Sequence, residues 1–324
     1  MAQASQTSAA HMDQRFFYEP MLSAHPRGEI PAMKFAGSEF TFPLWISSMT
    51  GGTLKAKTIN RNMARACAEF NLGMGLGSCR PLLDDRQPLD DFNVRDLMPG
   101  RPLYANLGVA QVEELRQKNK LSDIHRVVEA LKSDGLIIHV NPLQEWYQPG
   151  GDIFSVSPLE TISEFVASSP YPVMVKEVGH GMGPSSLKAL MQLPLMAIEF
   201  AAFGGTNFSV LEARRAGDLA PHGLAHVGHT TQEMLGFVKN ILATESNLKC
   251  RQFIISGGVQ DVLNGHALTA QLPGLALFGM AAKVLEHAQG DYENLRSWMQ
   301  TQLNEYAMAR AFLHVKPITE GTNI

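Results

Sequence analysis

Short apolar runs recur along this chain, and helical spacing fills the intervals between them. Runs at 42–49, 73–78, 102–108, 135–141, 172–179, 197–202, 252–256 and 275–278 have the length of buried strands. Apolar residues three and four apart predict helices over 54–70, 112–118, 123–132, 159–167, 184–191 and 231–243, with a final amphipathic helix over 291–309. Eight strands alternating with helices predict an α/β chain folded as a (β/α)8 TIM barrel, with an open doubly wound sheet as the alternative. Residues 1–12 are small and polar and read as a flexible tail, leaving 13–324 as one barrel domain. The stretch 207–229, with Arg214, Arg215, His222, His226 and His229, breaks the alternation as a long insertion. Its place on the face where barrels do chemistry suggests a lid or substrate loop, and its histidines lack metal-ligand spacing. The final helix is expected to pack on the barrel or on a neighbouring subunit of a homo-oligomer.

Composition narrows the class. Of 324 residues 45% are hydrophobic, enough for one large core, and the net charge of −4 offers no basic face for nucleic acid. No run approaches the ~18 apolar residues of a membrane span. The three cysteines, Cys67, Cys79 and Cys250, are scattered and odd in number, which fits reduced thiols and a cytoplasmic protein.

The richest segment is 135–152, GLIIHVNPLQEWYQPGGD. Period-two alternation puts His139 and Asn141 on one face of a strand, with Gln144 and Glu145 just beyond its end. In parallel α/β folds the carboxyl ends of strands carry the chemistry, so this strand offers an imidazole, two amides and a carboxylate to that face. Met49-Thr50-Gly51-Gly52 ends the first strand, and its glycines permit close backbone approach to a flat ligand or simply a tight turn. The glycines of 73–80, GMGLGSCR, lie within a strand and so are no dinucleotide fingerprint; Ser78 and Arg80 at its end suit a phosphate. Lys176 sits inside an apolar strand, as a charge beside a flavin, a Schiff-base lysine, or the partner of Glu199. Ser256-Gly257-Gly258 and Gly279-Met280-Ala281 follow strands seven and eight, where barrels commonly bind phosphate through backbone N–H groups, and together they point to a ligand such as FMN.

With these motifs the chain resembles the type 2 isopentenyl diphosphate isomerases, from about residue 36 to the end of strand eight. The matching segments are 49–52 (MTGG), 75–80 (GLGSCR), 104–108 (YANLG), 139–145 (HVNPLQE), 175–182 (VKEVGHGM), 204–208 (GGTNF) and 256–258 (SGG); HVNPLQE followed by VKEVG and GGTN is the specific set. The resemblance implies an FMN- and Mg2+-dependent isomerisation of isopentenyl to dimethylallyl diphosphate, with reduced flavin as acid and base and NADPH as reductant. It further implies FMN contacts from Ser48, Met49, Thr50, Ser78, Asn106, Lys176, Thr206, Gly257, Gly258, Met280 and Ala281, and Mg2+ on Glu145. Gln144 would lie at the substrate's reacting end with His139 as a second catalytic group, and His139, Asn141, Ser78 and Arg80 would help hold the substrate. One departure stands out: the family's N-terminal Arg-Lys pair is absent, and no Lys or Arg precedes Arg15. Arg15, His25, Arg27 or Arg214 is a candidate to replace it; Arg15 is expected to fold over the mouth, anchored by Phe16, Phe17 and Tyr18. An FMN oxidoreductase acting on a small hydroxy acid is the alternative, with His139 as its one strand-end base; a degenerate flavin-binding barrel is the third reading.

Overall fold

A computed structural model describes residues 7–27, 30–49, 55–84, 89–217 and 223–317. Eight parallel strands close on themselves: β1 (Leu44–Ile46), β2 (Gly73–Gly75), β3 (Leu103–Gly108), β4 (Gly135–Val140), β5 (Val173–Glu177), β6 (Ala197–Glu199), β7 (Phe253–Ser256) and β8 (Ala276–Met280). The ring is sealed by β8 pairing with β1, Phe278 opposite Leu44. The open-sheet alternative is thereby set aside, and each strand lies within a run read from the sequence or overlaps it.

Alternation sorts the strand residues between two cores. Leu44, Leu136, Val175, Ile198 and Phe253 point outward into the layer between strands and helices. Trp45, Tyr104, Ile137, Met174, Ala197, Ile254 and Leu277 point inward and pack on one another. A short hairpin, Met33–Phe35 with Ser38–Phe40, plugs this inner core from the amino-terminal ends of the strands with Phe35 and Phe40, both fully buried. Its turn, Ala36-Gly37, holds φ of 47° and 76°, the doubly left-handed geometry that matches hairpin twist. Two bonds pin the plug below the barrel: Gln252, just ahead of β7, accepts from the Ala36 N–H at 2.8 Å, and Arg101, just ahead of β3, donates to the Glu39 carbonyl at 3.0 Å.

Helices α1 (Ala56–Phe70), α2 (Val109–Gln117), α3 (Leu121–Ala130), α4 (Pro142–Tyr147), α5 (Pro158–Ser168), α6 (Pro184–Met191), α7 (Phe208–Arg215), α8 (Thr231–Thr244), α9 (Val262–Thr269), α10 (Ala282–Ala288) and α11 (Tyr292–Phe312) surround the barrel or its mouth. Their starts are written in the sequence. Proline occupies the first turn of α4, α5 and α6, where no N–H is lost, and Thr230 and Glu233 form a reciprocal cap on α8. In α1, Ile59, Met63, Cys67 and Phe70 form the buried stripe, and Asn71 ends it at φ 56°. The expected insertion at 207–229 is partly regular: it opens with α7, capped by Asn207, whose side chain accepts from Val210 N–H at 3.1 Å.

The aromatic segment near the start is also regular. Phe16–Tyr18 pairs antiparallel with Leu313–Val315, which follows α11 directly, and Phe16 stacks on His266 of α9. The segment therefore lies on the flank of α9 and α11. Phe16 is buried there, whereas Phe17 and Tyr18 are exposed. All three cysteines are buried and free; burial pushes the thiols of Cys79 and Cys250 up to about 12 and about 11. Among the described residues no helix is long and apolar enough to cross a membrane.

Candidate active site

One residue pair further along each strand, the barrel interior changes character. Above the apolar layer stand Ser47, Asn106, His139, Lys176, Glu199, Ser256 and Gly279, all inward by the same alternation. A cavity of about 450 Å3 opens among them toward the carboxyl ends of β1 and β5–β8. It is lined by Ser48, Met49, Lys176, Thr206, Gly257, Gly258, Met280 and Ala281, so residues expected at the cofactor from five strand ends do converge. Thr50 and His222 lie outside the described residues.

The glycines at one end of the cavity have a steric reason. Gly257 (φ 94°) and Gly258 (φ 74°) adopt the left-handed region, and a β-carbon on Gly257 would sit 2.1 Å from the Ala202 carbonyl oxygen. Gly205 packs its backbone on the same pair, where a β-carbon would be tight at 3.1 Å from the Gly258 nitrogen, and a β-carbon at Gly279 would meet Ser47 Oγ at 2.6 Å. The result is a backbone-lined cradle with side chains stripped away.

The charged groups line the same cavity. Lys176 and Glu199 are register partners on β5 and β6, both buried, yet no ion pair joins them. Lys176 Nζ donates to the Glu177 carbonyl at 2.9 Å, and Glu199 Oε1 accepts from Ser256 Oγ at 3.0 Å. Glu199 Oε2, Ser47 Oγ and Ser48 Oγ are buried with no partner in the protein, although all three residues line the cavity. Orphaned polar atoms at this depth are costly, and a polar occupant of the cavity would relieve them. His139, beside Lys176 in register, shares a hydrogen bond of 2.9 Å between Nδ1 and Asn106 Oδ1. Burial first, and the Lys176 charge second, hold its pKa down to about 3. The imidazole is therefore neutral at physiological pH and a poor general base. Asn106 does not line the cavity itself; it donates onward to the Leu76 carbonyl at 3.1 Å.

A second polar cluster lies over the ends of β2–β4. Asn141 Nδ2 donates to Glu145 Oε1 at 2.8 Å and to Gln144 Oε1 at 3.2 Å, while Glu145 Oε2 accepts from the Asp152 N–H at 2.8 Å. Asn141 Oδ1 is buried and without a partner. Arg80 reaches over from the end of β2 to an ion pair with Asp152 at 3.0 Å, and Ser78 Oγ accepts from the Arg80 N–H at 3.4 Å. His139, Asn141, Gln144, Glu145, Ser78 and Arg80 thus come from the ends of β2 and β4, the two neighbours of β3. Among the described residues no group of three or more His, Cys, Asp or Glu side chains could hold a metal, so an ion here would have at most two such ligands and would complete its shell from other oxygens.

Arg15 is placed elsewhere. Its guanidinium makes a two-pronged contact with Asp13, at 2.9 Å from Nε and 2.6 Å from NH2, lies over the Phe16 ring, and holds the Asp13 carboxyl below the usual range. It is not in the cavity lining. Of the other basic candidates, Arg214 and Arg27 are exposed, and His25 packs edge-on against Phe312. The sequence reading passed over Gln111 and Asp152, whose importance depends on contacts between distant segments, and Ser47, whose alternation along β1 does mark it as inward. It also passed over Glu177, whose Oε2 accepts from the N–H groups of Gly179 and His180 at 2.6 Å each and of Gly181 at 3.0 Å, fixing the loop after β5. Burial raises its pKa above the ordinary value against the pull of those three donors.

A closed barrel with a polar, orphan-rich mouth above a sealed apolar floor defines a barrel enzyme acting at its carboxyl face. No family model matches the chain. Its relatives are more telling. Over 275 residues it is 33% identical to the isopentenyl-diphosphate delta-isomerase of Deinococcus radiodurans, spanning 85% of this chain and 78% of that protein. The enzyme of the same name from Synechococcus sp. is 36% identical over 281 residues, 86% of this chain and 78% of its own length. That from Pyrococcus furiosus is 32% identical over 298 residues, 89% and 73%. Solved structures share the fold at low identity. A flavocytochrome b2 double mutant with sulfite bound has a TM-score of 0.64 at 13% identity, covering 92% of this chain and 72% of that one. A mandelate oxidase mutant with a monooxide FMN adduct has 0.58 at 14%, covering 94% and 88%. The chain belongs to the isopentenyl-diphosphate delta-isomerase family, and within it to the type 2 barrel isomerases.

Proposed function

We propose that this protein interconverts isopentenyl and dimethylallyl diphosphate, using FMN in the cavity and Mg2+ at Glu145. The observation that carries the reading is the set of orphaned buried atoms, Ser47 Oγ, Ser48 Oγ and Glu199 Oε2, in residues that line a cavity shared with a glycine cradle. Hydroxyl and carboxylate acceptors suit the polar edge and polyol of a flavin nucleotide, and the Gly257–Gly258 turn suits its phosphate. Reduced FMN, when bound, supplies the proton donor and acceptor for the allylic shift.

The chain's own residues have supporting work. Lys176, buried and free of an anionic partner at its Nζ, stabilises negative charge beside it. Asn106 fixes the His139 ring, and that neutral ring serves as a hydrogen-bonding group at the substrate rather than as a base. Asn141 aligns Gln144 and Glu145, the first toward the hydrocarbon end of the substrate and the second toward the cation. Each Glu145 oxygen already takes one hydrogen bond and keeps a further lone pair for a hard cation. Arg80 and Ser78 meet the diphosphate. Met49, Thr206, Gly258, Met280 and Ala281 complete the cofactor contacts.

The test is anaerobic incubation of isopentenyl diphosphate with the protein, FMN, Mg2+ and NADPH in deuterated water. We expect dimethylallyl diphosphate carrying solvent deuterium, with NADPH consumed only to reduce the flavin. NADPH oxidation in step with product would instead support the oxidoreductase. That alternative needs a side-chain base, and the depressed pKa of His139 weighs against it.

A further inference from the structure

The cluster over β2–β4 turns on a residue outside every motif. Asp152 Oδ2 accepts from Arg80 at 3.0 Å and from Gln111 Nε2 at 2.7 Å, and the Asp152 N–H donates to Glu145 at 2.8 Å. Gln111 is buried and is itself fixed, its Oε1 accepting from the Gly108 N–H at 3.1 Å, at the end of β3. The loop that brings Asp152 in is tight. Gly150 is left-handed at φ 70°, and a β-carbon on Gly151 would lie 2.0 Å from the Glu145 carbonyl oxygen. One residue therefore ties the ends of three strands: β3 through Gln111, β2 through Arg80 and β4 through Glu145.

The anchor is unequal on its two sides, and this gives it direction. Gln111 sits on the barrel wall, whereas the Arg80 side chain is 51% exposed and has a long, rotamer-rich stem. An exposed ion pair of this kind adds little to stability. What it does is choose one orientation for the guanidinium, at a set place relative to the Glu145 carboxylate.

We propose that Asp152 is a positioning residue: anchored by Gln111, it holds Arg80 beside Glu145 so that a guanidinium and a cation-binding carboxylate form a ready-made seat for a diphosphate and its divalent cation. This rests on the reading that Arg80 and Glu145 meet the diphosphate. Asp152 lies outside the cavity lining, and it acts through the place it gives to Arg80.

The experiment is a double-mutant cycle in the FMN-loaded protein, with Asp152→Ala, Arg80→Ala and the pair, reading KM and kcat for isopentenyl diphosphate and, separately, calorimetric binding of inorganic pyrophosphate with Mg2+. Asp152→Ala is expected to raise KM and weaken pyrophosphate binding about tenfold or more, with kcat changed less than about threefold and FMN affinity unchanged. In the Arg80→Ala background the same change is expected to do almost nothing. Asp152→Asn, which keeps the shape and one acceptor oxygen, is expected to recover part of the loss and guards against misfolding of the alanine variant. Additive effects of the two substitutions would overturn the proposal. So would tighter binding in Asp152→Asn, which would make Asp152 a counter-ion that competes with the diphosphate. Wild-type binding of Mg2+-pyrophosphate that ignores Asp152 defeats the proposal alone. A wild type with neither turnover nor pyrophosphate binding defeats the functional reading and the proposal with it.

Discussion

Two layers of side chains fill the same barrel two residues apart, and they obey opposite rules. In the lower layer Trp45, Tyr104, Ile137, Met174, Ala197, Ile254 and Leu277 close on the plug of Phe35 and Phe40. In the upper layer the same strands present Ser47, Asn106, His139, Lys176, Glu199, Ser256 and Gly279. The lower layer buries apolar area and leaves one polar atom, Trp45 Nε1, without a partner. The upper layer buries a lysine and a glutamate and leaves Ser47 Oγ and Glu199 Oε2 without partners. Stability is stored in the first layer and spent in the second, which is where a ligand would find unsatisfied partners.

The largest way to break the contrast is to hollow the floor. Trp45→Ala removes a fully buried indole and is expected to destabilise the protein by about 3–5 kcal/mol, read as a lower urea midpoint with the same slope. Next, Lys176→Met gives the upper position the residue type that Met174 supplies below it. Turnover is expected to fall roughly 100- to 1,000-fold while the melting temperature holds or rises, since an uncompensated buried charge has gone. A fall in melting temperature together with wild-type turnover would mean that Lys176 is a structural group.

His139 sharpens the comparison through pH. Its folded pKa is near 3 and its ordinary value 6.5, so between those values the unfolded chain binds a proton that the native ring refuses. Stability contributed here is therefore lost as pH falls from about 6.5 toward 3, at no more than about 1.4 kcal/mol per pH unit. His139→Gln should flatten that part of the profile in urea unfolding at pH 7 and pH 4.5. An unchanged slope would show that the ring is protonated in place. The smallest effect is expected at Arg15, which is spoken for by Asp13: Arg15→Ala should shift the KM for the diphosphate substrate less than Arg80→Ala does, and stability by under about 1 kcal/mol. A larger KM effect at Arg15 would mean that the pair with Asp13 opens and the N-terminal segment reaches the mouth.

The strands were legible because buried parallel strands are nearly continuous apolar runs between turn residues, and α6 because Pro184 marks its first turn and its apolar spacing is regular. The short helices α4, α7, α9 and α10 were not. Pro142–Tyr147 follows Asn141 with too few residues to show a period, and Phe208–Arg215 hides between the glycines of 204–205 and a basic, Gly-rich stretch. The plug and the outer strand pair escaped for another reason, since what makes each regular is a partner or a cover from a distant part of the chain. The site divides the same way. Ser48, Lys176, Gly257 and Met280 come together because strand ends converge in any such barrel. The hold of Asp152 on Arg80, 72 positions away, follows from no local pattern.

That outer strand pair has a consequence in time. Phe16 meets Val315, and its strand has no other strand partner among the described residues. At about 5–20 residues per second, a ribosome needs on the order of tens of seconds to make the chain between them. Through that interval every strand of the barrel can emerge and pair with its neighbours while Phe16–Tyr18 waits with its edge open. Chaperones that engage nascent aromatic segments therefore have a long opportunity here, and it closes only when residues 313–315 have left the ribosomal tunnel.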